Sequence, residues 1–96
     1  MAEDKIKAWI PTFRDRLGLD RKFQDTYEWV LSLDRNNIDV NSNAYPAAIA
    51  YISCVTSCEP RTQKRIANLT NCSVSQLQRS YSAIKKRHRG LGYLLG

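Results

Sequence analysis

Ala44-Tyr45-Pro46-Ala47-Ala48-Ile49-Ala50-Tyr51-Ile52-Ser53-Cys54-Val55 is the stretch that decides the fold. It leaves no polar face at helical spacing. A short helix that is apolar all round is buried on every side, so this segment is expected at the centre, with its alanines letting neighbours approach closely. Glu59-Pro60 ends it.

Working outward toward the N-terminus, Asp34 to Asn43 is polar and rich in turn formers, and reads as a loop. Before it, Phe23, Tyr27, Val30 and Leu31 follow the i, i+4, i+7, i+8 stripe of an amphipathic helix, and Trp29 and Leu33 widen its apolar face. An earlier helix is expected over residues 11–17. Pro11 fits its first turn because the missing N–H is orphaned there anyway. Gly18 stops that helix and Asp20 caps the next. Residues 1–9 are expected to be an N-terminal extension.

Toward the C-terminus, Thr62 is an N-cap for a helix through Leu69 that turns Ile66 and Leu69 inward, and Thr70-Asn71-Cys72 is a tight turn. Ser73 with Gln76 three residues on forms a capping box. The final helix carries Val74, Leu77, Tyr81 and Ile84 as an inward stripe that His88 continues. Gly90 and Gly92 end the order, leaving residues 90–96 as a flexible tail. Strand signals are nearly absent, so the fold class is all-α.

Ninety-six residues make one domain, with 43% apolar and 25% charged residues as in ordinary globular proteins. No apolar run approaches the roughly 18 residues of a membrane span. Residues 1–7 lack the apolar core of a secretory signal, so an intracellular, cytoplasmic protein is expected. Three cysteines are a poor disulfide framework. Cys54, Cys58 and Cys72 read as small core hydrophobes, with no metal and no cofactor implied. The only histidine has no nucleophile or carboxylate near it in sequence, and there is no glycine-rich phosphate loop, so no enzyme and no small-molecule substrate are expected.

Charge is segregated. Residues 1–59 carry seven Lys/Arg and nine Asp/Glu, whereas residues 60–96 carry eight Lys/Arg and no acid. Such a distribution suits contact with nucleic acid, or docking of an acidic protein; composition leaves both open. Helix-turn-helix spacing over residues 62–88 favours double-stranded DNA, because Ala67 sits where two helices must approach and Asn71 where the turn needs a left-handed residue. On that reading Ser75, Gln76, Gln78, Arg79 and Ser82 face the bases, while Arg61, Lys64, Arg65, Lys85, Lys86, Arg87 and Arg89 neutralise phosphates.

The central segment from Tyr45, the run Glu59-Pro60-Arg61-Thr62-Gln63-Lys64-Arg65-Ile66-Ala67, and Gln78-Arg79-Ser80-Tyr81 together resemble a cyclin-like repeat of the transcription factor B and factor IIB family, its second repeat above all. Ile10-Pro11 with Phe13, and Leu17-Gly18-Leu19, resemble the family's first helix, so the likeness covers residues 10–88. It implies a five-helix cyclin-like domain over residues 10–89, in a cytoplasmic archaeal or viral setting. It also implies a role in transcription initiation or its regulation, with the TATA-binding protein as a partner. The chain departs from the family in having one repeat and no zinc ribbon. Ser75 and Gln78 stand where the eukaryotic factor has Val and Arg, so no target sequence carries over. The alternative expectation is a cyclin-like adaptor that docks an acidic protein without binding DNA.

Overall fold

The computed structural model describes residues 2–95, and among them every regular element is helical. In chain order these are α1 (Ala2–Lys7), α2 (Ile10–Leu17), α3 (Arg21–Leu33), a 3₁₀ turn at Arg35–Asn37, α4 (Ala44–Thr56), α5 (Gln63–Leu69), α6 (Val74–Arg87) and α7 (Arg89–Leu95). Helices α2 to α6 lie where the sequence pattern places helices. The two short terminal helices are additional.

The all-round apolar segment does become the centre. Helix α4 is covered by α3 and α6 along its length and by α5 and α7 at its margins. Ala47, Ala48, Ile49, Ala50 and Ile52 are wholly buried. Tyr51, at the rim, stacks edge-on against Tyr81 of α6 with ring centroids 5.3 Å apart. The α2–α3 corner is filled by Phe13, Phe23 and Tyr27, whose ring centroids lie 5.7–6.2 Å from one another.

Three helices stop in the same way, through a residue with left-handed backbone. These are Gly18 (φ 64°), Cys58 (φ 62°) and Asn71 (φ 56°). At Asn71 the stop is a Schellman motif: Cys72 N–H donates to Ala67 O at 3.0 Å and Asn71 N–H to Asn68 O at 3.3 Å. Cys58 plays the matching part after α4, with Glu59 N–H donating to Cys54 O at 2.9 Å. That helix therefore ends before Glu59-Pro60, and Cys58 is exposed rather than a core hydrophobe.

Other expectations are corrected. Residues 2–7 are no loose extension: Ile6 is buried in the core, and its carbonyl accepts from the Tyr27 hydroxyl at 2.7 Å. Most of the tail expected over residues 90–96 belongs to α7 (Arg89–Leu95), because Leu91 finds a buried place against α4 and α6 that outweighs two helix-weakening glycines. Gly96 lies outside the described residues. Trp29 and Leu33 do not join the core; they are 44% and 41% exposed. The inward stripe of α3 is Phe23, Tyr27, Val30 and Leu31, all wholly buried. No helix among the described residues is long and apolar enough to cross a membrane.

The loop before α4 holds what sequence reading missed. Asp34 is wholly buried, and its carboxylate accepts four hydrogen bonds. Arg87 gives two, from Nε at 2.9 Å and Nη2 at 2.8 Å; Tyr45 Oη gives one at 2.7 Å and His88 Nε2 one at 2.7 Å. Burial alone would raise this carboxyl, but hydrogen bonds from Arg87, Tyr45 and His88 outweigh it and hold it below the usual carboxylate range. Burial and then the bond to Asp34 push the Tyr45 phenol well up. The cluster ties the end of α3, the start of α4 and the end of α6 to one buried point.

Candidate nucleic-acid interface

The site rests on how α6 begins. Ser73 Oγ accepts from Gln76 N–H at 3.1 Å while Gln76 Oε1 accepts from Ser73 N–H at 2.9 Å, so the expected capping box is formed. Thr62 likewise caps α5 by accepting from Arg65 N–H at 3.1 Å. The four-residue link 70–73 between α5 and α6 has the length a helix-turn-helix uses. Leu77 and Ile84, wholly buried, fix the inner face of α6.

With that face fixed, an advance of roughly 100° per residue sets the outer one. Ser75, Gln78, Arg79, Ser82 and Lys86 fall along a single stripe, and all five are exposed. Beside its far end a shallow groove of about 650 Å³ is lined by Ser82, Lys85, Lys86 and Arg89 with Gly92. Lys85 is half-buried there, its Nζ 5.7 Å from the centre of the Tyr81 ring. The Tyr81 phenol itself is raised, by burial first and Tyr51 second. Polar side chains, four cations (Arg79, Lys85, Lys86 and Arg89) and no acid thus line one continuous surface.

Of the residues expected to meet base edges, Ser75, Gln78, Arg79 and Ser82 share this stripe. Gln76 does not. It lies about 100° round the helix from Ser75, and its side-chain oxygen is committed to Ser73.

The expected phosphate contacts divide more sharply. Lys64, Lys85, Lys86 and Arg89 form no hydrogen bond or ion pair among the described residues, and only the last three share the groove. The other three are structural. Arg61 Nε donates to Leu17 O at 2.9 Å and Arg65 Nη2 to Arg16 O at 3.1 Å, so both guanidiniums satisfy carbonyls at the C-terminus of α2, where cations are favoured. Arg87 is locked on Asp34, and its side chain is only one-third exposed. These pairings join residues 44 to 53 positions apart, so no local pattern announces them.

Burial pushes the Cys54 thiol up to about 12, which makes it inert at neutral pH. Among the described residues no three His, Cys, Asp or Glu side chains gather as a metal site would require. An apolar hollow of about 530 Å³ lies on another face, between Trp29, Leu33, His88, Leu91 and Tyr93.

No protein family model, no curated protein and no solved structure matches this chain.

Proposed function

We propose that this chain is a DNA-binding module that lays α6 in a major groove and holds it there through the basic groove beside it. The observation that carries the reading is the single acid-free surface of Ser75, Gln78, Arg79, Ser82 and Lys86, continuous with Lys85 and Arg89. Arg79 has a donor fork that suits guanine or a phosphate, and Gln78 the paired donor and acceptor suited to adenine. Lysines and arginines on the flank set position without reading sequence. The likeness of the central helix and the Arg61 to Lys64 run to cyclin-like transcription factor repeats supports placing this binding at promoters. It likewise supports describing the domain as cyclin-like and related to transcription factor B.

The test is selection from a randomised duplex pool, followed by fluorescence anisotropy on the enriched and a scrambled duplex at two salt concentrations. The expected result is a preferred sequence and a steep fall of affinity with salt. Gln78→Ala should relax the preference at one position by about 1–3 kcal/mol of discrimination. Lys86→Ala should flatten the log–log salt slope by about 0.9 per lost phosphate contact. Absence of binding at low salt would refute the reading.

One observation favours a second reading, as a protein-docking module. Trp29, Leu33 and Tyr93, the last 91% exposed, place large apolar groups at the rim of the apolar hollow. If this is the working surface, Trp29→Ala would abolish partner capture, while Gln78→Ala would have no effect on any measured binding.

A further inference from the structure

On the flank of α6 toward which Gln76 turns, the 41–43 loop and the α5–α6 turn enclose a polar cleft of about 460 Å³. Asn41, Asn43, Asn71, Gln76 and Arg79 line it. Arg79 belongs both to this cleft and to the outer stripe of α6, so a strand laid along that stripe enters the cleft next. We propose that the cleft is a second DNA contact, gripping the sugar-phosphate strand at the border of the groove that α6 occupies, with Arg79 as its cation and the Asn41 and Asn43 amides as neutral donors. This inference rests on the DNA-binding reading above and extends it to a loop outside the helix-turn-helix.

Three features support it. First, the donors are free. The Asn41 and Asn43 side chains are exposed and form no hydrogen bond among the described residues; Asn43 sits at the N-cap of α4 without capping it. Among the described residues Arg79 has no carboxylate partner, and Gln76 commits only its oxygen. Second, the chemistry fits a backbone strand better than a small anion. One exposed arginine does not retain a free phosphate, but neutral amides beside it add hydrogen bonds once the strand is held elsewhere, as Asn and Gln do in many protein–DNA contacts. The carboxylate nearest in sequence, Asp39, accepts the Asn41 backbone N–H at 3.1 Å. Third, the loop leads directly into an anchored element. Tyr45, in the first turn of α4, is bonded to buried Asp34, and α4 packs along α6.

The experiment titrates a fluorescein-labelled mixed-sequence duplex with the full chain over a salt series. Variants are Asn41→Ala with Asn43→Ala, Arg79→Ala, and Lys85→Ala with Lys86→Ala. Losing two neutral hydrogen bonds should weaken binding about five- to thirtyfold without changing the salt slope. Arg79→Ala should both weaken binding and flatten the slope by about 0.9. Asn43→Asp is the control for folding, since an aspartate at an N-cap suits the helix. It should weaken binding at low salt by setting a carboxylate against the strand, and the loss should shrink as salt rises. If both asparagine variants bind as the unaltered chain does while the lysine variant is weakened, this inference falls and DNA binding stands. If the unaltered chain binds no duplex, both fall together.

Discussion

Replacing Asp34 by Asn keeps the volume of a wholly buried side chain and removes its charge. Whichever oxygen the new amide nitrogen replaces, it meets an Arg87 nitrogen that can only donate: Nε at 2.9 Å on the Oδ1 side, which His88 Nε2 shares at 2.7 Å, or Nη2 at 2.8 Å on the Oδ2 side, which Tyr45 Oη shares at 2.7 Å. Breaking a buried ion pair from one side costs about 3–5 kcal/mol. The Arg87 side chain is 33% exposed and can recover water, so the lower end, about 3 kcal/mol, is expected. Against a total of about 5–14 kcal/mol for a chain of this length that is a large share. At roughly 4–8 °C per kcal/mol it corresponds to a fall in Tm of about 12–24 °C. Thermal unfolding followed by far-ultraviolet circular dichroism measures it, with Asp15→Asn, on an exposed carboxylate, as the reference. The pH dependence adds a signed check. A carboxyl held below its ordinary value stabilises the fold above about pH 4, and that contribution is lost as pH falls through the folded value. The unaltered chain should therefore lose stability in acid more steeply than Asp34→Asn, and the two curves should converge there. A fall in Tm of less than about 4 °C at neutral pH would refute the reasoning.

Gly18→Ala should destabilise by about 1–2 kcal/mol through backbone strain alone, because φ is +64° and a Cβ there would meet nothing within 4 Å; urea denaturation at unchanged m-value measures it. Arg61→Ala should lower stability by about 1–2 kcal/mol, after discounting for its part-exposed position, by freeing the Leu17 carbonyl. Its duplex affinity should keep the salt slope of the unaltered chain, and a flattened slope would instead make Arg61 a phosphate contact. Leu77→Ala, at a wholly buried position, should cost about 2–5 kcal/mol by transfer and cavity terms, read from the midpoint of chemical unfolding.

What the sequence discloses follows the range of the forces. Helix α4 is legible because its burial is written in an apolar run that leaves no polar face, and the Ser73–Gln76 box because both partners lie within one turn. Asn71 was readable as a left-handed stop because asparagine tolerates that conformation, whereas Cys58 in the same conformation gives no such sign. The outer stripe of α6 is fixed once Leu77 and Ile84 are recognised as its inner face. The long-range pairings are not legible. Arg61, Arg65 and Arg87 look like any other basic residues of the C-terminal third until the fold brings α2 and Asp34 beside them. Trp29 and Leu33 mislead for a related reason: apolarity proposes a core position, but the packing of elements distant in sequence decides which apolar groups are covered. Helix α7 depends on one buried leucine that propensity alone could not outweigh.

The central position of α4 has a consequence for synthesis on the ribosome. Ten of its residues are buried. Its covering helices come from both sides of it in the chain, α3 before and α6 and α7 after. While a nascent chain has emerged only as far as α5, α4 therefore has half its cover and shows the remainder of its apolar surface to solvent. Folding of this domain must wait until residue 91 has left the exit tunnel, and over that interval the 44–56 segment is where a chaperone, or a neighbouring nascent chain, would bind.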